Sequence, residues 1–254
     1  MFNFGKNWHN YSRNVSKKEL GIIQQSLLEL FNDRQIKEKS FLDIGCGSGL
    51  FSIAAKQLGA VRVAGLDVLK DSIKTSKKNL LRFLPNQAID FYLMSILNNE
   101  QIKKLGKFDN VYAWGSLHHT GDMYKAIDNT CNTVQPGGYL ILALYNKNFT
   151  AKFWWFVKWL YNHSPWVCKK ILEIWYLGLV VPLKILILGK VIFQKKRGMK
   201  LYYDAIDWLG GFPYEYASVD EIKNFIEPKG FILERLIKPI GISGCNQFIF
   251  KKAT

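Results

Sequence analysis

The sequence predicts an α/β fold in which a mostly parallel sheet is covered on both faces by helices. Between residues 41 and 145, short and almost continuously apolar segments alternate with helix-like segments, and short turns connect them. Strands that alternate with helices form βαβ units, and burial of both sheet faces explains the apolar strands. Such sheets bind ligands at the carboxyl ends of their strands, so residues at those ends are the first candidates for a site.

Apolar runs and helical spacing place the elements in order. A helix is predicted at 17–31, with Ser16 as its N-cap and Glu19 at the capping-box distance. Strands are predicted at 41–44, 61–67, 88–94, 108–114 and 139–145. The helices between them are predicted at 50–58, 71–84, 98–105 and 123–134. After a last helix at 219–227, strands at 230–237 and 246–250 lie close enough in sequence to form an antiparallel pair at the sheet edge.

The alternation of strands and helices stops after residue 145 and resumes at 218, which suits one domain with an insertion. The expected divisions are an N-terminal cap segment and helix, a core, a helical, hydrophobic and basic insertion, and a C-terminal helix and strand pair that completes the core. These divisions span residues 1–36, 37–145, 146–217 and 218–254.

The chain of 254 residues carries a formal net charge of +15. Such a charge favours nucleic acid, an anionic membrane surface or an acidic substrate, and a lysine-rich surface that only maintains solubility is the alternative. The charge is mostly lysine, and no RNA-binding module is visible, so no specific nucleic acid partner is expected. The four cysteines are far apart and form no CxxC pair, which predicts free thiols in a reducing compartment. Residues 1–10 lack the pattern of a signal peptide, and we expect a cytoplasmic location.

A glycine-rich turn follows the first strand directly. Asp43 lies at the end of that strand, and the turn has the spacing Gly45-x-Gly47-x-Gly49. A tight turn needs positive φ, and a ligand can touch the backbone only where no Cβ intervenes. Amides at the start of the following helix face the same place. Asp43 is unusual in a core strand and indicates a carboxylate aimed at a polar or cationic ligand.

The spacing of the turn can be compared with known nucleotide loops. The nicotinamide fingerprint is G-x-G-x-x-G, and a phosphate-binding P-loop needs Gly-Lys-Ser or Gly-Lys-Thr, which is absent. An ordinary strand–helix turn is the alternative without a ligand. Asp67 lies at the end of the second strand, where a carboxylate can accept both hydroxyls of a ribose.

Asp43, the three glycines and Asp67 together resemble the class I S-adenosylmethionine-dependent methyltransferases. The resemblance covers residues 41–145 and the C-terminal strand pair, and it implies a Rossmann-like seven-stranded sheet with an antiparallel C-terminal strand. It also implies S-adenosylmethionine as cofactor, with the adenine between Val68 and Ser95–Ile96. The cofactor-binding residues that the resemblance implies are Asp43, Gly45, Cys46, Gly47, Gly49, Asp67, Val68, Ser95, Ile96, Trp114 and Gly115.

Two adjacent histidines, His118 and His119, follow the fourth strand, beside the expected position of the reactive methyl group. An oxygen nucleophile usually needs a base, and a positioned histidine can remove its proton. Both are therefore candidate catalytic residues, with His119 ahead because related enzymes often hold histidine there. The alternative is that one of them caps a helix or bonds the backbone.

A finer resemblance is to the ubiquinone-biosynthesis-like O-methyltransferases and a related bacterial branch. It rests on Leu-His-His-Thr-Gly-Asp at 117–122, Ala-Leu-Tyr-Asn at 143–146 and Asp-Trp-Leu-Gly-Gly-Phe-Pro at 207–213. The ubiquinone enzymes tend to carry an acidic residue, linked to a divalent metal, where this chain has His118. We therefore expect no metal, and we do not infer a quinone acceptor for this chain from the resemblance. The chain also lacks the Asp/Asn-Pro-Pro-aromatic tetrad of amino-group methylation and the Pro-Cys nucleophile of 5-methylcytosine chemistry.

The insertion is the second informative stretch. Residues 153–193 are rich in Trp, Phe, Leu and Ile, and lysines, Lys158 among them, flank or interrupt them as far as Arg197. Aromatic, basic, half-buried helices suit a membrane interface, so 153–197 is predicted to bind an anionic membrane surface. A lid, a dimer surface and a membrane-spanning helix are the alternatives. The acceptor pocket is predicted to be lined by Tyr11, Tyr145, Trp208, Phe212 and Tyr214.

Three functions compete at this point. The first is O-methylation of an apolar or lipid-linked hydroxyl compound by a protein peripheral to the inner face of the membrane. The second is a soluble methyltransferase of a sugar or other small metabolite, with the insertion as lid or dimer element. The third is an RNA-directed protein that uses the basic surface. The acceptor and the oligomeric state are left open.

Overall fold

The computed structural model describes residues 15–31, 33–189, 201–241 and 244–254. The predicted substrate residue Tyr11 and the basic residues from Lys190 to Arg197 lie outside the described residues.

Seven strands form one twisted sheet in the order β3-β2-β1-β4-β5-β7-β6. All neighbours pair in parallel except β7, which is antiparallel to both β5 and β6. This arrangement confirms the predicted mostly parallel sheet with an antiparallel C-terminal strand. The strands are β1 Ser40–Ile44, β2 Arg62–Asp67, β3 Asp90–Leu93, β4 Phe108–Trp114, β5 Val134–Tyr145, β6 Phe231–Ile237 and β7 Cys245–Lys252.

Helices cover both faces of the sheet. Those of the core are α1 Lys17–Leu30, α2 Asp33–Ile36, α3 Leu50–Gln57, α4 Lys70–Phe83, α5 Asn99–Leu105 and α6 Met123–Asn132. Those after β5 are α7 Ala151–His163, α8 Trp166–Trp175, α9 Val181–Leu188, α10 Leu201–Gly210 and α11 Val219–Ile226, with a π-helical turn at Tyr176–Val180 between α8 and α9.

Alternate residues of the strands face opposite layers, as the pleat requires. Phe41 and Tyr112 pack with α1 and α3 on one face. Leu42 and Val111 pack with α5, α6 and α11 on the other face. Each face therefore has its own apolar core, and the near-continuous apolar strands predicted from the sequence are buried on both sides.

The helix ends follow their capping residues. The predicted capping box of Ser16 and Glu19 starts α1, and a second box, of Ser218 and Glu221, starts α11. One boundary differs from its prediction, because β5 begins at Val134, five residues before the predicted start of this strand at residue 139. A Cβ at Gly138 would lie 2.7 Å from the Asp109 carbonyl oxygen, so glycine permits β5 to approach β4.

The insertion forms a separate apolar cluster on the carboxyl side of β5. Trp154, Val157 and Tyr161 of α7 pack with Leu209 of α10 and Tyr145 of β5. Among the described residues, no helix is both long enough and apolar enough to cross a bilayer.

Candidate active site

The turn after β1 holds three glycines in left-handed backbone conformations. Their φ angles are +75° at Gly45, +53° at Gly47 and +73° at Gly49, a region that favours glycine. The amides of Gly45 and Cys46 both donate to the Leu66 carbonyl of β2, at 2.8 and 2.9 Å. The predicted turn is therefore present, and it is held against the end of β2.

Close packing is a second reason why two of these positions require glycine. A Cβ at Gly45 would lie 2.4 Å from Ser116 Cβ, and one at Gly49 would lie 2.6 Å from Ser76 Cβ. Ser116 also donates through Oγ to the Ile44 carbonyl at 2.8 Å. The segment after β4 thus lies directly on the turn after β1, which joins the two sides of the topological switch point.

Asp67 ends β2 with both carboxylate oxygens hydrogen-bonded. Oδ2 accepts from the Gly47 amide at 3.0 Å, and Oδ1 accepts from the Leu69 amide at 2.8 Å. Burial raises the pKa of the Asp67 carboxyl above its ordinary value, although these amides oppose the shift. The groups that stabilise the charged form of Asp67 are uncharged hydrogen-bond donors. The site therefore suits a ligand that offers further uncharged donors to this carboxylate. The two hydroxyls of a ribose fit that requirement.

Asp43 and Cys46 lie inside the protein beside this carboxylate. Asp43 is 3% exposed and accepts from Ser52 Oγ of α3 at 2.6 Å, which holds α3 against β1. Its contact with a ligand stays a prediction. Burial raises the pKa of the Cys46 thiol, and Asp43 and Asp67 act in the same direction. Cys46 is therefore a neutral thiol and not an activated nucleophile.

The other predicted cofactor residues lie at the carboxyl ends of β2, β3 and β4. Val68 is exposed, Ser95 and Trp114 are half-buried, and Ile96 packs in the core, so only the backbone of Ile96 is available to a ligand. Gly115 has a φ of +70°, and no described atom lies within 4 Å of the Cβ it would carry. The edge of the sheet therefore has open space beside Gly115.

His118 lies in a short 3₁₀ turn, Leu117–His119, directly after β4. Its Nδ1 accepts from the Tyr145 amide of β5 at 3.3 Å, and its ring lies 3.9 Å from the Tyr145 ring. Burial lowers the pKa of His118 well below its ordinary value, and His119 and Lys158 act in the same direction. This buried, neutral ring favours the structural alternative for His118.

His119 is placed differently. Its Nδ1 lies 2.6 Å from the Pro213 carbonyl oxygen. Because a carbonyl oxygen can only accept, the proton is on Nδ1, and Nε2 keeps its lone pair. Burial lowers the pKa of His119 to about 3, Lys158 acts in the same direction, and the bond to Pro213 opposes both. A Cβ at Gly211 would lie 3.1 Å from Nε2, so glycine at this position leaves space beside the acceptor nitrogen.

The Tyr145 ring contacts His119, and two further aromatic rings pack on Tyr145. The Tyr145 ring lies 5.5 Å from the His119 ring, 5.3 Å from Trp208 and 4.8 Å from Tyr214. Phe212 is not part of this group, since its described ring contacts are with Trp155 and His163 of α7. Of the predicted substrate residues, Tyr145 therefore contacts the candidate base, and Trp208 and Tyr214 pack on Tyr145.

Lys158 is a member of the site that the sequence analysis missed. Grouping it with lysines that meet a membrane surface was wrong, because it is 0% exposed. Its ammonium lies 5.2 Å from the Tyr145 ring, 4.3 Å from Trp208 and 5.0 Å from Tyr214, and it donates to the Trp208 carbonyl. The surrounding helix is apolar on all sides, so no periodic signal marks this inward position.

Comparison with known proteins agrees with this site. A family model described as a methyltransferase domain matches residues 14–177, which is more than half of the chain. The ubiquinone biosynthesis O-methyltransferase of Coxiella burnetii is 32% identical over 116 residues, 46% of this chain and 47% of the relative. The mitochondrial enzyme of the same name from Dictyostelium discoideum is 26% identical over 147 residues, 56% of this chain and 42% of the relative. The matches thus span less than half the length of these relatives.

Solved structures share the fold. The magnesium protoporphyrin IX methyltransferase of Synechocystis PCC 6803, with bound S-adenosylhomocysteine, has a TM-score of 0.55 at 17% identity, covering 92% of this chain and 83% of that one. A putative S-adenosylmethionine-dependent methyltransferase from Listeria monocytogenes has a TM-score of 0.56 at 15% identity, covering 92% of this chain and 99% of that one.

The sheet order, the glycine turn and the carboxylate at the end of β2 define a class I S-adenosylmethionine-dependent methyltransferase. The chain belongs to the methyltransferase-domain family, which its family match over residues 14–177 establishes. The predicted enzyme class and the predicted cofactor, S-adenosylmethionine, are thereby confirmed.

Proposed function

We propose that the chain methylates a hydroxyl oxygen of an apolar or lipid-linked acceptor at a membrane surface, with His119 as the base. One observation carries the proposal. Helix α7 packs its inner face against the aromatic rings beside His119 and leaves Phe153, Phe156 and Trp159 exposed on its outer face. The same helix therefore adjoins the candidate acceptor site and an apolar surface.

The cofactor side of the site consists of the glycine turn and Asp67. When bound, S-adenosylmethionine supplies a methyl group already activated for displacement, so the protein mainly aligns the reactants and excludes water. The carboxylate of Asp67 would accept from the ribose hydroxyls, and the backbone at Gly45, Gly47 and Gly49 allows close approach. Gly115 leaves open space on the β4 side of the same edge.

His119 supplies the proton acceptor for the hydroxyl. The bond from Nδ1 to Pro213 orients the imidazole and leaves Nε2 free of a proton. A hydroxyl next to Nε2 would donate its proton there as the oxygen gains its methyl group. The rings of Tyr145 and Trp208 give this position the apolar walls that an apolar acceptor needs.

The membrane surface is proposed from the exposed apolar side chains of the insertion. They lie on α7, α8 and α9 and in the adjoining turns, and aromatic residues are frequent among them, as in interfacial helices. The net charge of +15 matches anionic headgroups. The exposed set is Phe149, Phe153, Trp155, Phe156, Trp159, Trp166, Val167, Ile171, Ile174, Leu179, Leu183, Leu186 and Ile187.

Vesicle co-sedimentation tests this surface. We expect the protein to sediment with vesicles that contain phosphatidylglycerol and to bind less as salt is raised. The double substitution Trp166→Ser and Ile174→Ser on α8, where both side chains are 70% exposed, should weaken binding by about tenfold per residue because each loses apolar area that lipid would cover. The matched control is Ile232→Ser on β6, an equally apolar side chain that is 65% exposed away from the insertion.

A protein that stays in solution with every vesicle would contradict the membrane surface. The alternative is a methyltransferase of a small metabolite in which the insertion is a lid or a dimer element. The hydrogen bonds from α7 to the end of α10, beside His119, favour a lid within that alternative. Light scattering on the same samples tests whether the protein is a dimer. If the insertion is a dimer element, the α8 substitutions would lower the molecular mass and would not change vesicle binding.

A further inference from the structure

Lys158 combines a charge with complete burial at the centre of the aromatic rings. Removing an ammonium from water costs several kcal/mol unless other groups compensate. Here the faces of Tyr145, Trp208 and Tyr214 and the carbonyl of Trp208 compensate, through cation–π contacts and a hydrogen bond. The ammonium is thus held at a fixed place, and the His119 ring contacts Tyr145, one of the same rings.

The end of α10 connects Lys158 to His119 mechanically. Lys158 donates to the Trp208 carbonyl, and Asn162, one turn further along α7, donates to the Gly210 carbonyl at 3.1 Å. Both are carbonyls of the last turn of α10, where cations and donors are favourable. The segment that follows α10 contains Gly211, which packs on the His119 ring, and Pro213, whose carbonyl accepts from His119 Nδ1. Helix α7 therefore fixes the two groups that orient the imidazole.

The charge of Lys158 acts on His119 as well. A neighbouring positive charge disfavours the imidazolium form. After burial, Lys158 is the largest influence that lowers the pKa of His119, and it also lowers the pKa of His118. Burial is the larger of these two influences on the pKa, so the imidazole is neutral near pH 7 with or without Lys158. The mechanical connection is what fixes the proton on Nδ1.

We propose that Lys158 is a positioning residue, which fixes the orientation and the Nδ1-protonated tautomer of His119 so that Nε2 stays an acceptor. The proposal rests on the proposed role of His119 as the base. Lys158 itself is not expected to touch the reacting atoms.

The other titratable groups around His119 explain why Lys158 is chosen for substitution in the test. Tyr214 stays protonated, since burial raises its pKa, and the Glu215 carboxylate accepts from the amides of Gly121 and Met123. Lys158 carries the positive charge that acts on His119. The titratable or charged groups described on the segments around His119 include His118, Tyr145, Lys158, Asp207, Tyr214 and Glu215.

The test compares Lys158→Met with Lys152→Met, an exposed lysine on the same helix. Nitrogen-15 NMR of the histidine side chains gives the pKa and the tautomer of His119 in each protein, without any need for the acceptor. In Lys158→Met we expect the other tautomer of His119 to become more populated, and the pKa of His119 to rise by about one unit or more. In Lys152→Met neither should change. Asn162→Ala, which removes the second contact to α10 but no charge, should leave the pKa unchanged and increase the population of the other tautomer.

The outcomes separate this inference from the proposed function. A folded Lys158→Met protein whose His119 keeps the wild-type tautomer population would overturn the positioning role, even if His119 proves to be the base. If that variant does not fold, the wild-type spectrum still decides: an Nε2-protonated or charged His119 between pH 5 and 8 overturns the proposal. Methyl transfer that survives His119→Asn would instead refute the base and leave the NMR result standing.

Discussion

Replacing Asp67 with alanine is expected to weaken S-adenosylmethionine binding by about a hundredfold to ten-thousandfold. The carboxylate is the charged acceptor proposed for both ribose hydroxyls, and each hydrogen bond to a charged group contributes about 1.5–3 kcal/mol. Isothermal titration calorimetry measures the change directly. The protein should remain folded, since Asp67 lies at a strand end and the residues of the two apolar cores are unchanged.

The matched control is Asp90→Ala. Asp90 is an exposed carboxylate at the amino end of β3, the opposite edge of the sheet from the site. Its loss should leave cofactor affinity unchanged. An Asp67→Ala protein that is folded and binds S-adenosylmethionine as tightly as wild type would remove Asp67 from the cofactor site.

Replacing His119 with asparagine is expected to lower kcat by about a hundredfold, the low end of the usual contribution of a general base, because a pKa of about 3 makes the imidazole a weak proton acceptor. Asparagine can still donate to the Pro213 carbonyl, as Nδ1 does now, but it cannot accept a proton in place of Nε2. Cofactor affinity should therefore be unchanged, and the loss should fall on the chemical step. The measurement is single-turnover transfer from labelled S-adenosylmethionine.

The pH profile provides an independent check on the same residue. Because the pKa of His119 is about 3, its protonation should not slow wild-type transfer at any pH above about 4. His163→Asn is the matched control, since His163 is exposed and its Nδ1 bonds only to the Trp159 carbonyl of its own helix among the bonds described for it. An active His119→Asn enzyme would contradict the proposed base. A wild-type rate that falls by half near pH 6.5 with His119 as the titrating group would contradict the lowered pKa of His119 but not its role as the base.

Most of the fold could be predicted because its signals are local. The capping box at Ser16 and the apolar runs of β1, β2 and β4 depend on neighbouring residues, and the structure places them within a residue or two of the predictions. Asp67 was predictable for the same reason, since the end of a parallel strand defines its position relative to the glycine turn.

The rest of the site depends on contacts between distant segments. The tautomer of His119 is decided by Pro213, 94 residues away, and the burial of Lys158 depends on Trp208, 50 residues away. In α7 the sequence is apolar on all sides, so it does not distinguish the buried Trp154 from the exposed Trp155. The sequence therefore predicts the cofactor side of the site better than the acceptor side.

The most direct test of the proposed function is an acceptor search with labelled S-adenosylmethionine against lipid and aqueous cell extracts. The account predicts that wild-type protein transfers the label to a compound in the lipid extract, in the presence of anionic vesicles, and that His119→Asn does not. Label that enters only compounds of the aqueous extract, at a rate indifferent to vesicles, would contradict it.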